Sequence, residues 1–308
     1  MKVIVDAMGG DNAPGEIVKG ALDAHRAYGT ELVLVGRAAE VLRAVEACGE
    51  TTLPSGVELR DGLGDAFVSA GSTGALLSGA TLVVKRVRGV RRAALCPQIP
   101  VLGGRAVLCD AGANAECTPE YLLQFAFLGS FYANRVMGIE RPRVALLNIG
   151  AESEKGDTLR HETYPVLEQA GKDGRIHFIG NIEASDAMLG GADVIVTDGF
   201  SGNIMLKSLE GTAKFMSREL KGMFLSGAKT KLAALLMKEQ MAAFKAMLDP
   251  GEVGGTPFLG ITKPVIKAHG GSDAKAIQNA VRQAEAFAKS GFIADVEANI
   301  DAMKLPTA

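Results

Sequence analysis

The stretch Ala192-Asp193-Val194-Ile195-Val196-Thr197-Asp198-Gly199-Phe200-Ser201-Gly202-Asn203-Ile204-Met205-Leu206-Lys207 decides how the rest of the chain reads. Val194 to Val196 form a β-branched run that suits a strand buried on both faces. Asp198 to Asn203 are turn residues. Leu206, Leu209, Ala213, Met216 and Leu220 then recur at helical spacing. The unit is strand, glycine turn, helix. Backbone N–H groups at a helix start attract anions. Gly199 and Gly202 let the main chain approach a ligand, and Asp198, Asn203 and Lys207 add side chains. An ordinary strand–helix joint has the same pattern, so recurrence is what points to a site.

The pattern does recur. A strand at Lys2–Val5 runs into Asp6-Ala7-Met8-Gly9-Gly10-Asp11-Asn12-Ala13-Pro14 and a helix over Gly15–Tyr28. This turn is neither a P-loop, lacking the GKS or GKT ending, nor G-x-G-x-x-G. A strand at Glu31–Val35, a helix at Ala38–Ala47 and a short strand at Val57–Leu59 continue the alternation. A strand over Asp65–Ser69 enters the second turn, with Gly71, Ser72, Thr73 and Gly74, before a helix to about Lys85. Ala93–Ile99 reads as one strand, Gly103-Gly104 as a hairpin turn, and Asp110 to Asn114 as the third glycine turn. After a strongly apolar helix (Pro119–Met137) and a strand (Arg143–Ile149), Gly150 to Gly156 make the fourth, with Glu152 and Lys155. Lys267 to Asp273, with His269, make another before a closing helix over Ala274–Lys289.

Strands alternating with helices imply a mainly parallel sheet covered on both faces, a three-layer αβα sandwich. One domain over residues 1–308 is expected, with a helical excursion at 214–250. Ligands bind outside the carboxyl ends of such strands. The turns at Gly9, Gly71, Gly112, Gly150 and Gly199 should therefore converge at one edge of a single sheet. One break stands out. Between Leu59 and Asp65 the chain is too short for a helical crossover between parallel neighbours.

Composition narrows the function. A net charge of -2 gives no general basic surface for nucleic acid. Cys48, Cys96, Cys109 and Cys117 form no CxxC pair, and no signal peptide is seen, so reduced thiols in a cytoplasmic protein are expected. No apolar run is long enough to span a bilayer. Neither the four His nor the four Cys have zinc-ligand spacing. Mg²⁺ on Asp6, Asp11 or Asp198 has weak support, so no metal or cofactor is expected. Gly199-Phe200-Ser201-Gly202 does not match a serine-hydrolase elbow. Lys85, Arg86, Arg88, Arg91 and Arg92 read as a solvated helix end.

Six motifs taken together carry a resemblance: Asp6 to Pro14, Ser69 to Ala75, Asp110 to Asn114, Asn148 to Gly156, Thr197 to Asn203, and Ile266 to Gly270. In order across nearly the whole chain, they resemble PlsX, the bacterial phosphate acyltransferases of phospholipid synthesis. The resemblance implies acyl transfer from acyl-acyl-carrier-protein to inorganic phosphate, giving acyl phosphate. It also implies a fold like the phosphotransacetylases and isocitrate/isopropylmalate dehydrogenases, and a homodimer. The family has a further strand–loop–helix unit ahead of the run that here begins at Asp61, at the break already noted.

The residues fit that chemistry. Phosphate is itself the nucleophile, so catalysis rests on positioning it and stabilising an oxyanion. Lys155, Asn203 and Lys207 are assigned to phosphate or oxyanion, and His269 to proton transfer. Asp6, Gly9, Gly10, Asp11, Gly71, Ser72, Thr73, Gly74, Asp110, Asn114, Glu152, Asp198, Gly199, Gly202 and Lys267 are assigned to phosphate or substrate binding. An acyl-CoA-dependent phosphotransacylase would share this site, whereas a non-catalytic carrier-protein scaffold would not need it. A dinucleotide-dependent dehydrogenase is disfavoured by the absent G-x-G-x-x-G. From Lys214 to Lys245 there are seven basic and two acidic residues. Phe224 and Leu225, then Leu235 and Leu236, lie near the tip of this excursion. That combination suits peripheral contact with an anionic bilayer, with an acidic carrier protein or a second subunit as the alternatives.

Overall fold

The computed structural model describes residues 1–60 and 64–305. In chain order the strands are β1 (Lys2–Asp6), β2 (Glu31–Val35), β3 (Val57–Leu59), β4 (Ala66–Ser69), β5 (Ala94–Leu95), β6 (Gln98–Val101), β7 (Gly104–Cys109), β8 (Arg143–Leu147), β9 (His177–Ile182), β10 (Val194–Val196), β11 (Thr256–Leu259) and β12 (Val265–Lys267). The helices are α1 (Gly15–Tyr28), α2 (Ala38–Ala47), α3 (Thr73–Gly79), α4 (Pro119–Arg135), α5 (Thr158–Lys172), α6 (Ala184–Met188), α7 (Gly199–Leu225), α8 (Ala228–Leu236), α9 (Lys238–Leu248), α10 (Ala274–Lys289) and α11 (Phe292–Ala298).

The alternating α/β character and the largely parallel pairing are as expected. The described strands, however, divide between two sheets rather than one. The first has the order β3-β2-β1-β4-β12-β11-β5, and the second β6-β7-β10-β8-β9. In the first, only β11 runs against its neighbours. In the second, only the edge strand β6 does so. The division falls inside the stretch read as one strand. Cys96-Pro97 interrupts it, leaving β5 in one sheet and β6 in the other. Either side of that step the chain is still tied to β7 and its turn: Leu108 N–H donates to Pro97 O at 3.0 Å and Ala111 N–H to Leu95 O at 2.8 Å. β11 was hidden because Gly254-Gly255-Thr256-Pro257 has turn composition.

β3 and β4 are not neighbours; β2 and β1 lie between them. Leu59 thus ends an edge strand and Ala66 opens an inner one. Asp61 to Leu63, the start of the run that the expected family segment would precede, lie outside the described residues.

Helix α4 lies at the centre of the molecule. Leu122, Leu123, Phe125, Ala126, Leu128 and Tyr132 are fully buried. Gly129 allows the helix to press on β10: a Cβ there would meet Val194 Cγ1 at 2.5 Å. Tyr132 Oη accepts from Gln98 Nε2 at 3.2 Å and Gln283 Nε2 at 3.1 Å. One buried hydroxyl thus joins α4, the second sheet and α10, which packs on the first. The excursion is different: α8 and α9 bury no residue, and among the described residues no helix is long and apolar enough to cross a membrane.

α7 meets the loop after β7 through glycines. A Cβ on Gly202 would run into the Asp110 carbonyl oxygen, whereas one on Gly211 meets nothing within 4 Å. Gly202→Ala should therefore destabilise by about 1–3 kcal/mol through overpacking. Gly211→Ala should stabilise by roughly 0.5–1 kcal/mol through reduced backbone freedom in the unfolded chain. Urea unfolding of the two variants checks the contrast.

Candidate active site

The glycine turns follow the carboxyl ends of strands in both sheets: β1, β4 and β12 in the first, β7, β8 and β10 in the second. Within the first sheet they are latched together. Asp6 Oδ2 accepts from Ser69 Oγ at 2.8 Å, and Ser69 Oγ accepts from Gly71 N at 3.0 Å. Asp6 Oδ1 accepts from Met8 N at 3.1 Å. Gly9 has no room for a side chain, since its Cβ would lie 2.6 Å from Asp6 Oδ2. Gly10 has φ +102, in the left-handed region that favours glycine. Next to it, Asp11 N–H donates to Gly270 O at 2.8 Å. Ser72 caps α3 by accepting from Ala75 N at 3.4 Å, with Thr73 and Gly74 opening the helix. The turns after β1, β4 and β12 thus form one surface, with the Asp11 carboxylate exposed beside Gly270.

In the second sheet, the expected donors are largely taken. The Asp110 carboxylate is fully buried. It accepts from Leu95 N (2.9 Å), Gly112 N (3.2 Å), Ala113 N (3.1 Å), Asn114 N (2.7 Å) and Asn114 Nδ2 (2.9 Å). Burial pushes its pKa up, and the hydrogen bonds oppose that rise. Asp110 and Asn114 therefore build the turn, and the turn's own N–H groups serve them rather than an anion. The α7 N-terminus is similarly occupied. Gly199 N–H donates to Asn114 O at 2.7 Å, and the Asp198 carboxylate caps Ser201 N at 2.8 Å. Gly199 and Gly202 serve close backbone packing.

Behind that cap is a residue the sequence reading passed over. Arg160, in the first turn of α5, forms a buried ion pair with Asp198 and donates to Ser201 Oγ at 3.2 Å and Thr197 Oγ1 at 3.3 Å. The signal was present: Asp157-Thr158-Leu159-Arg160 places an arginine one turn after a helix cap, where it can reach back over the strand ends. Burial alone would raise the Asp198 pKa, but the Ser201 N–H and the Arg160 charge outweigh it and hold it below the usual aspartate range.

What remains open is a group of side chains where the halves meet. Asn203 and Lys207, one turn apart on α7, are exposed. Asn203 lies against Gly112, where a Cβ would be 3.5 Å from its Oδ1. Lys207 Nζ pairs with Glu210 at 2.9 Å. Lys267, at the end of β12, has its pKa lowered first by burial and then by the Lys207 ammonium, with Asp11 opposing. Cations from both sheets thus share one electrostatic field. His269 is exposed, and its Nδ1 accepts from Gly271 N at 3.1 Å. The fourth turn closes on itself: Asn148 Nδ2 donates to Lys155 O at 2.8 Å, and Asn181 Nδ2 to Glu152 O at 2.7 Å. The Lys155 and Glu152 side chains remain exposed at its rim. Among the described residues, no cluster of His, Cys, Asp and Glu could hold a metal ion.

The fold is shared with phosphotransacetylases. A Streptococcus pyogenes phosphotransacetylase matches with a TM-score of 0.64 at 17% identity, covering 93% of this chain and 94% of that one. The EutD phosphotransacetylase of Staphylococcus aureus matches with a TM-score of 0.60 at 14% identity, covering 93% and 94%. These set the structural class, an α/β fold like that of the phosphotransacetylases. The family model described as "Fatty acid synthesis protein" matches residues 39–295. The phosphate acyltransferase of Thermoanaerobacter pseudethanolicus is 42% identical over 330 residues, covering 98% of each chain. That of Listeria monocytogenes serovar 1/2a is 40% identical over 333 residues, covering 99% of this chain and 98% of its own. The chain belongs to this family of phosphate acyltransferases and is an acyltransferase. Both alignments are longer than the 308 residues present here, so each relative carries internal residues without a counterpart in this chain.

Removing one partner of a buried ion pair leaves the other charge uncompensated. Arg160→Leu should therefore cost about 3–5 kcal/mol at pH 7. Because the Asp198 pKa is depressed, the pair's contribution is complete above the ordinary aspartate value of about 3.9 and drains away as pH falls through the lower folded value. The gap between wild type and variant should accordingly be smaller at pH 3 than at pH 7, as read by denaturant unfolding at each pH.

Proposed function

We propose that the chain transfers a fatty acyl group from acyl-acyl-carrier-protein to inorganic phosphate, yielding acyl phosphate for phospholipid synthesis. The observation that carries this reading is that Asn203 and Lys207 stand exposed one turn apart on α7, after the second sheet's β10, while the Lys207 charge is felt by Lys267 at the carboxyl end of β12 in the first sheet. The half-buried Lys267 ammonium, whose pKa burial and then the Lys207 charge lower, is relieved by an anion bound beside it. Phosphate held there presents a nucleophilic oxygen to a thioester carbonyl. The new C–O bond forms, the C–S bond breaks through a tetrahedral oxyanion, and the thiolate leaves and takes a proton. Lys207 and Asn203 supply charge and a donor to phosphate or oxyanion. Lys155, on the rim, can join them, and His269 is available for the proton. Preorganised donors of this kind act mainly on the barrier. An acyl-CoA donor is the second reading, since the phosphate site would serve either thioester.

We further propose a homodimer whose excursion touches an anionic bilayer. Support comes from exposed apolar side chains on basic helices: Leu225, Leu235 and Leu236 are 56%, 67% and 76% exposed, with Phe224 half-buried beside them. Such a tip suits the headgroup region without spanning it. Delivery of a labile acyl phosphate at the membrane is the chemical rationale.

Lys207→Ala and Asn203→Ala should each lower acyl phosphate formation by roughly 100-fold with the fold intact. Measurement uses phosphate with acyl-carrier-protein or acyl-CoA as donor, and near-normal turnover in both variants overturns the site. Leu235→Glu plus Leu236→Glu should abolish flotation with anionic liposomes. Equal flotation of this variant overturns membrane contact, and conversion to a monomer on gel filtration assigns the tip to the dimer instead.

A further inference from the structure

Residues 80–92 form a surface that the phosphate site does not use. After α3 the chain winds into a π-helical turn over Ala80–Lys85. This turn presents Leu82 and Val83 to solvent, 75% and 78% exposed. Five of the eight residues from Lys85 to Arg92 are basic, and none is acidic. Among the described residues, a single ion pair offsets them: Arg91 Nε to Glu120 Oε1 at 2.9 Å. The Arg92 guanidinium lies over the Tyr121 ring at 5.7 Å, and Lys85 sits at φ +77. This is a cationic surface around an apolar spot, and the salt links that usually quiet a solvated helix end are mostly missing.

The surface also leads somewhere. A cleft of about 290 Å³ opens between the π-helical turn and the loop after β7, lined among others by Leu77, Arg86, Arg92, Ala113 and Asn114. Its Asn114 side belongs to the turn held by Asp110. In that same turn Gly112 packs against Asn203. The cleft thus runs from the basic surface to the turn that carries Gly112, which Asn203 packs against.

We propose that this surface docks an acidic acyl-carrier protein, with Leu82 and Val83 meeting an apolar residue of the carrier and the cleft receiving its thioester-bearing arm. This rests on the carrier-thioester reading given above. Charge complementarity selects the partner. A cationic rim raises encounter rates with an acidic protein and aligns it, and a cleft beginning inside that rim lets the thioester reach the cations while the carrier body stays outside.

The test compares two donors of the same acyl group: acyl-carrier protein, and a neutral acyl-pantetheine thioester that lacks an acidic body. Arg88→Glu plus Arg91→Glu should lower kcat/KM for the carrier roughly tenfold or more, mainly through KM and the association rate. The same variant should change kcat/KM for the pantetheine thioester less than twofold. Arg88→Gln should fall between wild type and the double variant, and the steep salt dependence of the wild type with the carrier should flatten in the double variant. Equal losses with both donors, no loss with either, or loss of liposome flotation in place of carrier selectivity each overturn the docking surface. A wild type that uses acyl-pantetheine but not the acyl-carrier protein overturns the donor reading, and the docking surface with it.

Discussion

The Asp110 carboxylate is the constraint on which the arrangement turns. It stands at the end of β7, in the second sheet, and accepts the Leu95 N–H from the end of β5, in the first. It gathers three further backbone N–H groups and the Asn114 amide. Its own backbone N–H donates to Thr197 O at 3.0 Å, beside the start of α7. A buried carboxylate is tolerated only when its oxygens are satisfied, and the groups that satisfy it come from both halves. With the Tyr132 hydroxyl and the Ala111–Leu95 bond, this group ties the two sheets together and so helps set where Lys207 and Lys267 stand.

A second layer of control lies in how α7 begins. A helix start is a natural anion site, but here a carboxylate of the chain itself occupies it, neutralised by Arg160. In the proposed site the anion is therefore received farther along the helix, by Asn203 and Lys207, where side chains rather than the helix start supply the donors. This separates two tasks. Asp198 and Arg160 hold the start of α7, while the next two turns carry the proposed donors.

Much of this was legible in the chain, for physical reasons. Helices such as α1, α2 and α10 carry apolar stripes bounded by turn residues, and their limits matched the pattern. Three features were not legible. The division into two sheets depends on Cys96-Pro97 stepping between layers, and local periodicity does not encode which sheet a strand joins. β11 is a strand because both of its edges are paired, although its residues favour a turn. The use of Asp110, Asn114, Gly199 and Gly202 was also hidden. Glycine and Asx residues at a strand end serve a ligand or a tight backbone contact equally well, and only the partners of each N–H group decide between them.

The order of strands in the first sheet has a consequence for how the chain is born. β12 and β11 lie between β4 and β5, yet they are made some 160 residues after β5. The second sheet, by contrast, is drawn entirely from residues 98–196. During synthesis that second half can close while the first waits with an unpaired edge along β4. An exposed strand edge of that kind is a template for wrong pairing, and late, distant closure slows folding. The last quarter of the chain is thus the first sheet's missing middle as well as its cover, and an arrested or truncated product would present β4 to its neighbours.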